Sequence, residues 1–109
     1  QNKISIKELK RMAEEMFGVL VKAVVDIEKQ IMAIDGELHV DEEQLLLENN
    51  SKQKNLWGIN IYPDLPKKEW IEFDSMINLR PSQNNRSRNV EDIKIRQKIF
   101  DIINELIEE

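Results

Sequence analysis

The chain has 109 residues, of which 40% are hydrophobic and 34% charged, and its formal net charge is −5 at pH 7. This composition is typical of a soluble globular protein, so we expect one domain over residues 1–109, and the acidic balance argues against nonspecific nucleic-acid binding. The absence of cysteine excludes disulfides, thiolate metal sites and thiol nucleophiles. No apolar run approaches the roughly 18 residues of a membrane span. The N-terminal QNKISIKELKR lacks the apolar core of a signal peptide, so we expect a cytoplasmic protein.

The first predicted element is a helix over residues 5–17. Ser5 and Glu8 fit a capping box at its start. Apolar residues then recur at helical spacing as far as Phe17, and Gly18 follows where a C-terminal cap would end the helix.

Three strands are predicted next. Val19–Ile27 has an apolar residue at every second position, which is typical of a strand with one buried face. Ile31–Ile34 is a second, short β-prone run, and Asp35 and Gly36 after it are a favoured pair for a tight hairpin turn. Leu38–Val40 is predicted to return as a third strand.

A short helix and a second hairpin follow. The acidic residues 41–43 provide an N-cap and an acidic first turn for a helix that continues through Leu47 and ends at Asn49 and Asn50. Residues 56–62 and 70–79 alternate in polarity on either side of a segment with two prolines, so we expect these two runs to pair as strands.

The last predicted element is a helix over about residues 91–107, with Asn89 as its N-cap and Asp92 at its third position. The order of these elements predicts an α+β fold. We expect a single domain with a mostly antiparallel sheet of about five strands, covered on one face by the N- and C-terminal amphipathic helices.

Four phrases of the sequence have a family resemblance. They are VKAVVDIE (21–28), GELHVDEE (36–43), LLLENNSKQKNLWG (45–58) and INLRPSQNNRSRNVED (77–92). Together they resemble a family of small bacterial and archaeal proteins described only as a domain of unknown function. The resemblance spans about residues 9–107 and implies no activity, since the family has none assigned. A glycine is usual in the family where Asn50 stands, and asparagine can replace it because it tolerates the left-handed backbone conformation.

The connection over residues 80–88 is the first candidate site. Three arginines and several amides lie there without a carboxylate, and guanidinium groups match the geometry of phosphate and carboxylate. Glu91 and Asp92 would repel an anion from the following helix N-terminus, so a ligand would bind the loop itself. The predicted ligand-binding residues are Arg80, Gln83, Asn85, Arg86 and Arg88. Alternatively, Arg80 pairs with Glu72 or Asp74 and the amides close the turn.

The only histidine is the second candidate. If residues 37–41 form a strand, Glu37, His39 and Asp41 project from one face, as a metal set or as a general base with an orienting carboxylate. Catalytic zinc usually takes two or three histidine or cysteine ligands, and capping already accounts for these acids. We therefore assign no metal and no cofactor, and keep His39, Glu37 and Asp41 as the candidate catalytic residues.

Polar residues on the predicted strands form the third candidate. Asp26, Glu28, Glu72 and Asp74 would converge as a Mg²⁺ or acid–base site if their strands are adjacent, and would otherwise be a solvated face. Three neighbouring residues carry separate expectations. Trp57 is expected in the core, Trp70 is expected to be exposed and to mark a partner surface, and Gly58 indicates a bulge or a close approach of backbone.

These candidates support three hypotheses. We expect a small noncatalytic module that binds an anionic ligand or an acidic protein segment through the 80–88 loop. One alternative is a small hydrolase that uses His39 with Glu37 or Asp41. Another is a homodimer formed through an exposed strand edge and Trp70.

Overall fold

Residues 3–109 are described by a computed structural model, in which four antiparallel strands form the central sheet. The elements in chain order are β1 (Ile4–Ser5), α1 (Ile6–Met16), β2 (Val21–Asp26), β3 (Ile31–Ala33), α2 (His39–Glu48), β4 (Leu56–Ile61), β5 (Ile71–Glu72), α3 (Ile93–Leu106) and β6 (Ile107–Glu108). The sheet order is β3-β2-β4-β5, and β1 and β6 form a separate parallel pair. The prediction of a single α+β domain is confirmed, with four strands in the main sheet rather than five.

One face of the sheet is apolar and carries the main core. In β2 and β4 the apolar positions face each other in register, with Val21 opposite Ile61, Ala23 opposite Ile59 and Val25 opposite Trp57. Buried residues of both terminal helices pack on this face: Leu9, Met12 and Ala13 from α1, and Ile99, Ile103 and Leu106 from α3. The predicted cover by the N- and C-terminal helices is therefore confirmed, and burial of this apolar surface is the main source of stability.

The helices start and end largely where the sequence predicts. Ser5 caps α1 by accepting a hydrogen bond from the Glu8 backbone at 3.1 Å. At α3 the N-cap is Asp92, which accepts from the Lys94 backbone at 2.8 Å, so the prediction of Asn89 as the cap is wrong. The backbone N–H of Glu91 instead donates to the Asn85 side chain at 2.9 Å, which keeps the preceding residues in the loop.

The opposite face of the sheet is covered by α2, a helix that the sequence predicted without placing it on the sheet. Val24, Ala33, Leu46 and Leu56 form a small second core there. The helix has an inverted pattern, since it buries His39, Glu42 and Glu43 and exposes Val40 and Leu45, each by 52%. A helix usually turns its apolar stripe inward, so this inversion places apolar side chains at the surface.

The predicted third strand, Leu38–Val40, is wrong. Asp35 has a positive φ of 75°, so the chain does turn there, but it continues into α2 instead of a hairpin. Leu38 is the extended N-cap residue and His39 is the first helical residue. The apolar–polar alternation of three residues was too short to distinguish a strand from a helix start.

The predicted strand over residues 70–79 is correct only for its first part. After the short strand β5, Ser75 caps a 3₁₀ turn over Met76–Asn78 by accepting from the Ile77 backbone at 3.3 Å. The Asn78 side chain then forms the hydrogen bonds to β4 that a neighbouring strand would otherwise form. Its Oδ1 accepts from the Gly58 N–H at 2.8 Å and its Nδ2 donates to the Gly58 carbonyl at 2.9 Å.

Gly58 lies against this turn so closely that a side chain does not fit. A Cβ on Gly58 would lie 2.6 Å from both the Cβ and the Oγ of Ser75, and 3.1 Å from Ile77 Cγ1. Of the two expectations for Gly58, a bulge or a close approach, the structure shows a close approach, which is made by the Ser75 side chain. Glycine is required here for space.

Glu42 anchors α2 as a buried carboxyl group. It is 2% exposed, its Oε2 accepts from the Gly36 N–H at 3.0 Å, and its Oε1 is buried without a partner among residues 3–109. A Cβ on Gly36 would lie 2.6 Å from Glu42 Cγ, so the carboxyl is packed directly on the turn. Burial raises the pKa of Glu42 from 4.5 to about 9, and the Gly36 N–H only partly opposes this shift. Glu42 is therefore protonated at neutral pH.

Replacing Gly58 by alanine is expected to destabilise the protein by about 1–3 kcal/mol, because the added methyl group overlaps Ser75. Urea unfolding followed by circular dichroism measures this change. Combining it with Ser75→Gly, which removes the overlapping atoms, should recover part of the loss. A Gly58→Ala variant as stable as the parent would contradict the close packing of the turn on β4.

The protonated Glu42 predicts that stability falls as the pH rises from about 5 to 9. Since the folded state holds a proton that the unfolded state releases above pH 4.5, the free energy of unfolding should decrease by up to about 1.4 kcal/mol per pH unit from this group. Glu42→Gln should remove this slope and be more stable than the parent at pH 8. Glu48→Gln, at an exposed position near the end of the same helix, should retain it. Parallel slopes for parent and Glu42→Gln would show that Glu42 is already ionised when folded.

Candidate functional site

Arg80, the first residue of the arginine loop, is turned into the protein. It is 9% exposed, and its guanidinium donates to the backbone carbonyls of Gln53 and Leu56 and, at 3.2 Å, to the Gln83 side chain. The guanidinium carbon lies 4.2 Å from the centroid of the Trp57 ring. Burial lowers the pKa of Arg80. Arg80 therefore fastens the loop to the start of β4, and it forms no ion pair within 4.0 Å in the described chain, so the predicted pairing with Glu72 or Asp74 is not found.

Asn85 has a similar internal role. It is 3% exposed, and its Nδ2 donates to the carbonyls of Asn78, Ser87 and Asn89 at 2.7, 3.1 and 2.7 Å. Its backbone exchanges two hydrogen bonds with Arg80. All these bonds hold the loop in one conformation, and Asn84 has the left-handed φ of 61° that the tight turn needs. The Gln83 side chain is exposed and donates to the Lys54 carbonyl at 3.1 Å.

The loop binds a carboxylate of its own. Oε2 of Glu91 accepts from the backbone N–H of Arg86 at 2.9 Å and from the Ser87 hydroxyl at 2.7 Å. The Ser87 hydroxyl and, less strongly, Arg86 lower the pKa of Glu91. The position that a ligand anion would take on these donors is therefore occupied by Glu91.

Two arginines of the loop remain at the surface. Arg88 donates to Asp74 at 2.6 Å, in a pair whose side chains are about half exposed. The Arg86 side chain is exposed and has no ion-pair partner within residues 3–109. Of the three guanidiniums in the 80–88 loop, Arg86 and Arg88 are exposed and Arg80 is buried.

Arg88 lies at the edge of a shallow pocket of about 190 Å³. The pocket forms where β2, the start of α2, the 3₁₀ turn after Ser75 and the arginine loop meet. It is lined by Lys22, Leu38, His39, Val40, Ser75, Met76, Ile77 and Arg88. Three of its apolar residues are largely exposed, namely Leu38 and Val40 at 52% and Met76 at 62%. The pocket therefore combines two cations with an apolar rim.

His39 lies in the wall of this pocket and is neutral at pH 7. Its Nε2 lies 2.7 Å from the Ile59 carbonyl, which can only accept, so Nε2 carries the proton and Nδ1 carries the lone pair. Burial lowers the pKa of His39, and the nearby charges of Lys22 and Arg88 lower it further, while the Ile59 carbonyl and Asp74 act in the opposite direction.

The structure does not assemble the predicted histidine–carboxylate group. His39 and Asp41 are two positions apart in α2 and thus point to roughly opposite sides of the helix, while Glu37 precedes the helix and is exposed. The same-face geometry depended on the strand that is absent. Within residues 3–109, no group of three histidine, aspartate or glutamate side chains could hold a metal ion.

The predicted carboxylate cluster also does not form, because β4 lies between β2 and β5. Asp26 accepts from the Ser51 hydroxyl at 2.7 Å, Glu72 from the Asn60 amide at 2.8 Å, and Asp74 from Arg88. These three acids therefore have separate partners, and the Glu28 side chain is exposed.

Trp70 does not mark a partner surface. It is 4% exposed, belongs to the main core, and donates its indole N–H to the Leu65 carbonyl at 2.8 Å. The expectation that Trp70 is exposed is wrong, whereas the core position of Trp57 is confirmed.

The apolar rim of the pocket was missed by the sequence analysis. One pattern could have revealed it. His39, Glu42, Glu43 and Leu46 have the i, i+3, i+4, i+7 spacing of a buried helix face, which would expose Val40 and Leu45. The polarity of the first three residues hid that face.

Comparison with known proteins gives a family and no function. No curated protein and no solved structure matches the chain. No helix within residues 3–109 has the length and apolar character needed to cross a membrane. A family model described as "Protein of unknown function (DUF5674)" matches residues 1–106. Because this match spans nearly the whole chain, the protein belongs to the DUF5674 family of proteins of unknown function.

Proposed function

We propose that the protein is a noncatalytic, cytoplasmic binding module whose His39 pocket receives an acidic side chain of a partner protein. The observation that carries this proposal is the combination of Lys22 and Arg88 with the exposed apolar rim of Leu38, Val40 and Met76. Cations would bind the acidic side chain, and the rim would pack against apolar neighbours in the same segment. Arg80, Gln83 and Asn85 act as supports of the site, and Arg86 lies outside the pocket.

The size of the pocket favours a protein partner over a small molecule. Small-molecule sites usually enclose about 300–1,000 Å³. The present pocket has about 190 Å³, which suits one side chain. Exposed apolar residues at the rim of a small pocket are typical of protein-binding surfaces.

The charges favour an acidic occupant. Lys22 has no ion-pair partner within 4.0 Å in residues 3–109, and its Nζ lies 4.9 Å from the centroid of the Phe17 ring. The Arg88–Asp74 pair is half exposed, and exposed pairs contribute only about 0–1 kcal/mol, so a partner carboxylate can compete for Arg88. His39 is neutral and leaves this positive character unchanged.

The geometry gives less support to the alternatives. A hydrolase would need a carboxylate to orient His39, but the bonded ring nitrogen faces the Ile59 carbonyl and Glu37 and Asp41 are exposed. A homodimer through Trp70 would need that side chain at the surface, and it is buried.

Peptide binding tests the proposed site. A short acetylated peptide that alternates leucine and glutamate should shift the amide resonances of residues 38–40, 76–77 and 88, and a matched leucine–glutamine peptide should not. Lys22→Gln combined with Arg88→Gln should weaken binding about tenfold or more, since each charged hydrogen bond is worth about 1.5–3 kcal/mol. Binding should also weaken with added salt.

Charge-matched variants at exposed lysines outside the pocket, Lys7→Gln with Lys68→Gln, should bind as the parent does. Equal binding of both peptides, or full binding by the Lys22→Gln, Arg88→Gln variant, would contradict the proposal. Light scattering of the free protein should give 12.9 kDa. Twice this mass, with the pocket resonances in the interface, would make a second copy the occupant and would also contradict it.

The stability of arginine variants tests which arginines support the fold and which are free to bind a ligand. Arg80→Met should destabilise the protein by about 2–4 kcal/mol, because it removes the guanidinium hydrogen bonds to the carbonyls of Gln53 and Leu56, the second of which is buried. Arg86→Met, at an exposed side chain, should change stability by less than about 0.5 kcal/mol. Urea unfolding of both variants measures this contrast, and an equally stable Arg80→Met would show that Arg80 is free for a ligand.

A further inference from the structure

A larger cavity lies between α3 and the turn that joins β2 to β3. Its volume is about 660 Å³, within the range of about 300–1,000 Å³ that is usual for small-molecule sites. It shares no lining residue with the pocket at His39. The two sites are therefore separate.

One face of α3 forms the floor and one rim of this cavity, which we call the cleft. Lys98, Asp101, Ile102, Glu105 and Leu106 line it at positions i, i+3, i+4, i+7 and i+8. Ile102 and Leu106 belong to the main core and give the floor its apolar character, together with Ile27 from the turn. Lys98, Asp101 and Glu105 lie above the floor and are exposed.

The opposite wall is held rigidly. Asp26, which is buried, accepts from the backbone N–H groups of Glu28 and Lys29 at 2.9 and 3.0 Å and from the Ser51 hydroxyl at 2.7 Å. The Gln30 N–H donates to the Asp26 carbonyl at 2.9 Å, and Gln30 has a left-handed φ of 59°. Because these bonds hold the turn in place without a ligand, binding would carry no free-energy cost for ordering the turn.

The charged side chains of α3 at the rim of the cleft have both signs, and they form only exposed hydrogen bonds or ion pairs with other side chains. Lys98 has no ion-pair partner within 4.0 Å in the described part of the chain. Asp101 accepts from the Gln97 amide at 3.0 Å, and Glu105 lies 3.8 Å from Lys3 in an exposed pair. Residues three apart on a helix have Cβ atoms about 5–6 Å apart, so Lys98 and Asp101 are neighbours.

We propose that this cleft binds a small zwitterion with an aliphatic side chain, either a free amino acid such as leucine or a dipeptide. Its carboxylate would bind Lys98, its ammonium group would bind Asp101 and Glu105, and its side chain would lie on Ile102 and Leu106. The lining carries two lysines and two acids, so its formal charge is zero. A purely anionic ligand such as a nucleotide would face Asp101 and Glu105, whereas a zwitterion satisfies both signs.

Titrations followed by amide resonances test this site with leucine and leucyl-leucine as probes. At least one probe should shift the resonances of residues 27–30 and 98–106 in a saturable way, and the relative affinity of the two distinguishes an amino-acid site from a dipeptide site. N-acetylation or amidation of the better probe should weaken binding about tenfold, because each removes one charged contact.

Two variants locate the charges. Lys98→Gln and Asp101→Asn should each weaken binding of the better probe about tenfold. Lys68→Gln and Glu14→Gln make the same chemical changes at exposed positions outside the cleft and should have no effect. Circular dichroism confirms that each variant is folded. The proposal is overturned if neither probe gives saturable shifts at millimolar concentration, if the shifts lie elsewhere, or if blocked probes or both variants bind as well as the originals.

Discussion

The hydrogen bonds between the Asn78 side chain and the backbone of Gly58 hold the 3₁₀ turn and the arginine loop against β4. A side-chain amide offers the same donor and acceptor as a peptide group, so it can pair with a strand without a strand beside it. The same amide also donates to the Arg88 carbonyl at 3.0 Å, which brings the arginine loop back over β4. Residues 75–78 are thereby folded into a turn whose Met76 is exposed, and Arg88 is left at the edge of the His39 pocket.

Helix α2 completes the same face of the sheet in an unusual way. It turns a neutral histidine and a protonated glutamate inward, and each finds one backbone partner, the Ile59 carbonyl for His39 and the Gly36 N–H for Glu42. Buried polar groups are tolerated when they are uncharged and hydrogen-bonded. The consequence is an apolar outer surface at Leu38 and Val40, next to Lys22. The apolar surface that we propose for binding is therefore exposed because α2 turns its hydrogen-bonded polar side chains inward.

Much of the fold follows from periodicity in the sequence. The α1 cap at Ser5, the apolar rows of β2 and β4 and the position of the C-terminal helix are all carried by residues whose spacing matches one structure. The failures have a common cause. Leu38–Val40 and residues 73–79 alternate like strands, but side chains hydrogen-bonded to distant turns or strands hold them otherwise, Glu42 to the Gly36 turn six positions earlier and Asn78 to Gly58 twenty positions earlier. The arginine loop was singled out from its composition as a ligand-binding site, which stays a prediction. Sequence could not show that Arg80 bonds inward, because its carbonyl partners lie 27 and 24 positions earlier in the chain.

Side-chain amides, above all that of Asn78, hold the 75–91 segment on β4 and so shape the His39 pocket. Amide hydrogen exchange of an Asn78→Ala variant tests this role of Asn78. We expect the N–H groups of Gly58, Ser75, Arg80 and Glu91 to lose protection by about tenfold or more, while those of β2 and α3 keep the parent's rates apart from any global loss of stability. Unchanged protection of these four amides would show that the segment is held by something other than the Asn78 side chain.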